Sequence, residues 1–163
     1  MKQAEQIAAI LKRQPVGTRL DICGWIRTRR DSGSISFLEI SDGSCLASLQ
    51  VVADSSLVNF ETEVKKAGTG SSVHVIGTLV ESPAKGQSVE LRADKVDIIG
   101  WADPEGYPLQ KKRHSFEFLR TIPHLRPRTN ALAAVARIRS ELNYRIHHFF
   151  RECGFFQVHT PII

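Results

Sequence analysis

The sequence predicts a mainly β architecture: a closed barrel of five strands with one intervening helix, then a basic linker and a long amphipathic helix. Three observations predict it. Five runs with a two-residue apolar period fall between Arg19 and Ile99, each bounded by turn residues. One stretch at helical spacing, Leu57 to Ala67, interrupts them after the third run. From about Asn130 the apolar period becomes three and four residues and persists to the region of Gly154.

Residues 3–13 read as a short N-terminal helix, with Ile7, Ile10 and Leu11 on one face and Pro15 and Gly17 closing it. The first strand runs from Arg19 to Arg29, where Leu20, Ile22, Gly24 and Ile26 alternate with polar or aromatic neighbours. Asp31-Ser32-Gly33 turns the chain into a second strand, Ser34 to Ile40. Asp42-Gly43 then leads to a third, Cys45 to Val52. Leu57, Phe60, Val64 and Ala67 mark one face of the intervening helix. Strands four and five, Val73–Val80 and Val89–Ile99, are joined by Pro83-Ala84-Lys85-Gly86. Three strands, a helix and two strands are the order of an OB barrel, and another small barrel of equal strand count has the same pattern. Closure removes the exposed edges that a flat meander this small would leave.

From Trp101 to Leu125 no period persists, and Asp103-Pro104-Glu105-Gly106, Pro108 and Pro123 mark a connector. Asn130 is the predicted N-cap of the next helix. Leu132, Val135, Ile138, Leu142, Ile146 and Phe149 form its apolar stripe, and Gly154 suits its C-terminal cap. A helix of about 24 residues is about 36 Å long and needs a partner surface. The domain expectation is an N-terminal extension at 1–16, an OB domain at 17–100, a linker at 101–129 and the start of a further domain at 130–163.

With 42% apolar residues in 163, the chain has enough apolar side chains for a folded core. Its apolar runs are too short for a membrane helix and its N-terminus lacks the order of a secretion signal, so the expected location is cytoplasmic. Cys23, Cys45 and Cys153 have no paired spacing, and no histidine–cysteine cluster predicts a metal. The net charge of +5 is unevenly placed. Residues 1–100 are neutral overall apart from a local knot of Arg27, Arg29 and Arg30. Residues 111–128 carry six basic side chains against Glu117 alone. Such patches suit a phosphate backbone, and equally a solvated surface with a charged linker.

Phe37 lies in the second strand near the arginine knot. An exposed ring there accepts a stacked base while arginines hold phosphates; a core ring has the same sequence pattern. Gln50, near the end of the third strand, offers both a donor and an acceptor to a base edge, whereas an ionised Glu90 only accepts. Both residue types are usually plain surface side chains. None of the six histidines has a spacing that marks a catalytic triad, and no residue is assigned a catalytic or cofactor-binding role.

Gly24-Trp25-Ile26-Arg27-Thr28-Arg29-Arg30-Asp31, with Ile35-Ser36-Phe37-Leu38-Glu39-Ile40 and Asp42-Gly43-Ser44, resembles the anticodon-binding barrel of the aspartyl, asparaginyl and lysyl group of class II aminoacyl-tRNA synthetases. The resemblance implies that Phe37 stacks on the middle anticodon base, a uridine. It also implies that Gln50 reads that base, that Glu90 lines its pocket and that the arginine cluster supports the anticodon loop. Arg29 is the matched member of that cluster, with Arg27 and Arg30 beside it. Gly154-Phe155-Phe156-Gln157-Val158-His159-Thr160-Pro161 resembles the first signature motif of class II enzymes, which implies a dimer interface at Gly154, Phe155 and Pro161. The long helix is then the first of an α/β catalytic domain.

Lys112-Arg113-His114-Ser115-Phe116-Glu117-Phe118-Leu119-Arg120 and His124-Leu125-Arg126-Pro127-Arg128-Thr129 resemble the bacterial asparaginyl branch. The resemblance implies a ligase that joins asparagine to tRNA(Asn) using ATP and Mg2+, acting as a homodimer, with no DNA or membrane partner. Motifs two and three, which carry that chemistry, are expected beyond Ile163, so the chain alone is expected to be inactive and to hold no cofactor. A free-standing tRNA-binding module, an aspartyl-specific relative and a general single-strand binder are the other readings.

Overall fold

Strand β1 (Arg19–Ser32) is long enough to pair twice, with β2 (Ile35–Ser41) along its second half and β4 (Ser72–Glu81) along its first. Strand β3 (Leu49–Asp54) pairs antiparallel with β2, and β5 (Val89–Gly100) pairs antiparallel with β4. A short parallel contact, Val51 with Leu91 and Val52 with Arg92, joins β3 to β5 and closes the barrel in the order β1-β2-β3-β5-β4. The computed structural model describes residues 4–84 and 86–161. The expectations for Gln3, Lys85 and the last two residues lie outside the described residues.

The two-residue period sets the inside and outside of the barrel. Ser36, Leu38 and Ile40 of β2 point inward and are fully buried, while Phe37 and Glu39 point outward. Leu49, Val51 and Ala53 do the same on β3, Val73, Val75 and Leu79 on β4. Each large aliphatic side chain fully withdrawn from water contributes about 1.5–3 kcal/mol, so these inner faces form the dominant stabilising element. Phe60 and Val64 join the same core from the segment between β3 and β4.

That segment is helical only over Phe60–Val64, and in a wide π-type turn rather than an α-helix. The expected apolar face survives, with Leu57, Phe60, Val64 and Ala67 all buried. The third strand begins at Leu49, four residues later than its pattern suggested, because Asp42 and Ser44 hold the preceding loop.

The same loop explains the N-terminal helix. Helix α1 (Ile7–Arg13) starts at Ile7, after residues 4–6 that are not helical, and there the Asp42 carboxylate accepts the Ile7 N–H at 2.8 Å and the Ser44 hydroxyl accepts that of Ala8 at 2.9 Å. Both groups take the place of a local N-cap, satisfying donors that the first helical turn leaves open. Ile7 and Ile10 are fully buried in the barrel's core cluster.

The chain divides into two units, residues 1–114 and 115–163. The division falls inside the stretch read as an unpatterned linker. The second unit contains helix α2 (Phe116–Thr121), capped by the Ser115 hydroxyl accepting the Phe118 N–H at 3.2 Å, a 3-10 turn at Arg126–Arg128, and helix α3 (Asn130–Glu152). Asn130 is the first helical residue rather than the cap. Thr129 takes the cap position with extended backbone, its hydroxyl donating to the Arg126 carbonyl at 2.7 Å. At the far end Gly154 has φ +85°, a left-handed conformation that favours glycine. The N–H of Gly154 returns to the Arg151 carbonyl and that of Phe155 to Phe150, which closes the helix. Ile138, Leu142 and Phe149 on α3, and Phe155 after it, are exposed.

Candidate nucleic-acid interface

The ladders place two rows of side chains across the outer face. Arg30 on β1 lies opposite Phe37 on β2, which lies opposite Val52 on β3, which pairs with Arg92 on β5. Two residues away, Thr28 lies opposite Glu39 and Glu39 opposite Gln50, whose amide reaches Glu90 on β5. One row joins an aromatic ring to two guanidinium groups; the other is a run of hydrogen-bonding side chains.

Phe37 is half-buried on this outer face, not part of the inward-facing core. The Arg30 guanidinium carbon stands 5.0 Å from its ring centroid, within cation–π range. A β-bulge produces this pairing. Ile26 pairs with Ile40, but Thr28 pairs with Glu39, so Arg27 is the extra residue on β1. Without the bulge Phe37 would face Arg29. With it, Arg29 points the other way: its Nη1 donates to the Lys65 carbonyl and, at 3.2 Å, to that of Ala67, while its Nε lies 3.4 Å from Asp31. Arg29 thus ties β1 to the end of the wide-turn segment, and Arg30 faces the ring.

Gln50 and Glu90 come together through Gln50 Nε2 donating to Glu90 Oε2 at 3.1 Å. Glu90 is buried, only 9% exposed, and a buried carboxylate needs donors. It has two more: the Ser82 hydroxyl at 2.9 Å and Gln87 Nε2 at 3.2 Å, both from the loop between β4 and β5. An open cleft of about 240 Å³ adjoins this group, lined by Gln50 and Gln87 with Ala47, Ser48 and Val89. Ser82 and Gln87 carry no periodic signal. Only their places at the two ends of a turn, next to a strand whose second residue is a glutamate, hint at them in the sequence.

The remaining matched residues lie in the second unit. Gly154 and Phe155 close helix α3, with Phe155 edge-on to Phe150 at 5.6 Å between ring centroids, and Pro161 is exposed in the chain beyond.

A closed five-stranded barrel in this strand order is an OB fold, and an aromatic ring with an arginine beside it and an amide–carboxylate pair on one outer face suit contact with a nucleic acid. Residues 20–99 match the family described as the OB-fold nucleic acid binding domain. The asparagine–tRNA ligase of Desulfotalea psychrophila is 68% identical over 142 residues, covering 87% of this chain and 32% of that protein. That of Treponema denticola is 57% identical over 160 residues, covering 96% and 34%. The crystal structure of asparaginyl-tRNA synthetase from Pyrococcus horikoshii, complexed with asparaginyl-adenylate, matches with a TM-score of 0.84 at 26% identity. It covers 99% of this chain and 37% of the other. The chain is homologous to the asparaginyl-tRNA synthetases, class II enzymes of the aspartyl, asparaginyl and lysyl subgroup, and corresponds to their N-terminal anticodon-binding region. It spans about a third of the length of the relatives it matches. Among the described residues, no helix is long and apolar enough to cross a membrane.

Proposed function

We propose that this chain is the anticodon-reading part of an asparagine–tRNA ligase, the enzyme that converts ATP, L-asparagine and tRNA(Asn) to asparaginyl-tRNA(Asn), AMP and diphosphate. The observation that carries the proposal is Phe37 on the outer face under Arg30, two residues along the ladder from the Gln50–Glu90 pair. The ring stacks on the middle anticodon base, the Arg30 charge faces the backbone beside it, and Gln50 and Glu90 line the edge that is read. Arg27 sits at the bulge that sets this alignment, and Arg29 supports it by anchoring β1. Residues 17–100 serve as the anticodon-binding domain, 1–16 as its N-terminal helical extension, 101–129 as the linker and 130–163 as the start of the catalytic domain.

The homologues' naming as asparagine–tRNA ligases supports the amino-acid assignment. Chemistry that needs asparagine, ATP and Mg2+ is assigned to the intact enzyme as a whole. The apolar stripe of α3, with Gly154, Phe155 and Pro161, fits a homodimer contact, since an exposed stripe this long needs cover. The enzyme is placed in the cytoplasm, with RNA rather than DNA as its partner.

Titration of the chain with tRNA(Asn) and with an unrelated tRNA of different middle anticodon base, at several salt concentrations, tests the reading. Tighter binding of tRNA(Asn) at every concentration is expected. Equal affinities would remove anticodon reading from this face.

A further inference from the structure

We propose that Glu90 acts on base selection through Gln50. Held by Ser82 and Gln87, it fixes the orientation of the Gln50 amide so that the carbonyl oxygen faces the base. This rests on the reading of the face as an anticodon-binding site and adds to it a mechanism of discrimination.

The hydrogen-bond directions around Glu90 leave one consistent arrangement. An ionised carboxylate only accepts. Gln50 must therefore turn its NH2 toward Glu90, as it does at 3.1 Å, and its carbonyl oxygen lies on the other side of the amide. Ser82 cannot reverse its part. Its hydroxyl oxygen accepts from Gln87 Nε2 at 2.9 Å and from the Ala84 N–H at 3.2 Å, so its single proton goes to Glu90 at 2.9 Å. Gln87 spends its NH2 on Ser82 Oγ and Glu90 Oε2. Three donors thus converge on one buried carboxylate oxygen, which pins the carboxylate and, through it, the amide.

A glutamine so held offers an acceptor and one remaining N–H. That pair complements a keto–imino edge: the ring N–H and neighbouring carbonyl of uracil or guanine. With the acceptor held opposite the ring nitrogen, it mismatches the ring acceptor and amino group of cytosine or adenine, which need the reverse order. A freely turning glutamine would serve both. Gln50 is diagonal to Phe37 in the β2–β3 ladder, so a base on that ring has an edge within its reach. Ser82 and Gln87 are positioning residues, and the cleft that Gln87 shares with Gln50 gives the edge room.

The test compares affinities for two short anticodon hairpins that differ only in uridine or cytidine at the middle position. The unmodified chain favours uridine by roughly 10- to 100-fold, the range of one good paired contact to a base edge. Glu90→Gln lets the amide turn and lowers that ratio by about tenfold, the cytidine hairpin gaining affinity relative to the uridine one. Ser82→Ala lowers the ratio in the same direction and Ser82→Thr, which keeps the hydroxyl, restores it. In a Gln50→Ala background Glu90→Gln changes the ratio no further, because its effect runs through Gln50. Melting curves identify any variant that fails to fold, and Ser82→Ala, a loop change, then decides. A ratio unchanged by both Glu90→Gln and Ser82→Ala would overturn the proposal. So would a Glu90→Gln effect that persists in full without Gln50, since Glu90 would then contact the base itself. Failure of the unmodified chain to bind either hairpin would instead sink the anticodon reading and this inference with it.

Discussion

The guanidinium carbon of Arg30 lies 5.0 Å from the centroid of the Phe37 ring, and the two residues are direct partners in the β1–β2 ladder. One inserted residue, Arg27, decides that Arg30 and not Arg29 holds this place. The two arginines therefore have separable roles. Arg30→Ala is expected to weaken RNA binding and to reduce the salt slope of affinity by about one, while loss of the cation–π contact to Phe37 costs the fold no more than about 0.5–1 kcal/mol. Arg29→Ala leaves the Lys65 and Ala67 carbonyls without their donor and is expected to cost about 1–3 kcal/mol of stability. Salt-dependent binding and thermal melting of both variants distinguish the two roles.

Acid should release helix α1 before it opens the barrel. Burial alone would raise the pKa of Asp42, but hydrogen bonds from the Ser44 hydroxyl and from the N–H groups of Ile7 and Ser44 outweigh it and hold the carboxyl below its ordinary range. A group whose folded-state pKa is depressed contributes stability above its unfolded value, and that stability is lost as pH falls through the folded one. Amide exchange at Ile7 is expected to accelerate below the ordinary aspartate range while the amides of β4 stay protected. Asp42→Ala is expected to cost about 0.5–2 kcal/mol near neutral pH, as loss of a helix cap does, and to abolish this acid response.

Gly77 is a steric requirement of barrel closure. A Cβ at this position would collide with the backbone carbonyl of Arg92, where the β4–β5 ladder shifts register after Ile76. Backbone cannot yield as a side-chain tip can. Gly77→Ala is expected to lose about 1–3 kcal/mol, the usual cost of overpacking, read as a lower denaturant midpoint. Gly17→Ala has open space but a φ of +82°, so any loss there reflects backbone strain alone.

The strand order and the inward faces were legible because burial on one side imposes a two-residue period, and Leu20, Ile22, Leu38 and Ile40 follow it without exception. The long helix was legible from its own three-and-four-residue apolar period, although most of that stripe is exposed in the second unit. The start of α1 was not, because its cap comes from Asp42, thirty-five residues away. Nor was the late start of β3, where Asp42 and Ser44 hold the loop together by short-range hydrogen bonds that leave no periodic trace. At the candidate site Phe37, Gln50 and Glu90 could be picked out by residue type and family resemblance. The choice between Arg29 and Arg30 could not, because a one-residue bulge reverses which of them faces the ring. Ser82 and Gln87 stayed hidden because their function is to satisfy a buried carboxylate, which only tertiary geometry reveals.

The most direct measurement is the energetic coupling between the Phe37 ring and the middle anticodon base. Wild-type chain and Phe37→Ala are each titrated with an anticodon hairpin of tRNA(Asn) sequence and with the same hairpin made abasic at the middle position. If the ring stacks on that base, removing either one costs about 1–3 kcal/mol, and removing the second after the first costs almost nothing further. Independent, fully additive losses, or a Phe37→Ala variant that binds the intact hairpin as tightly as wild type, would contradict a base seated on this face.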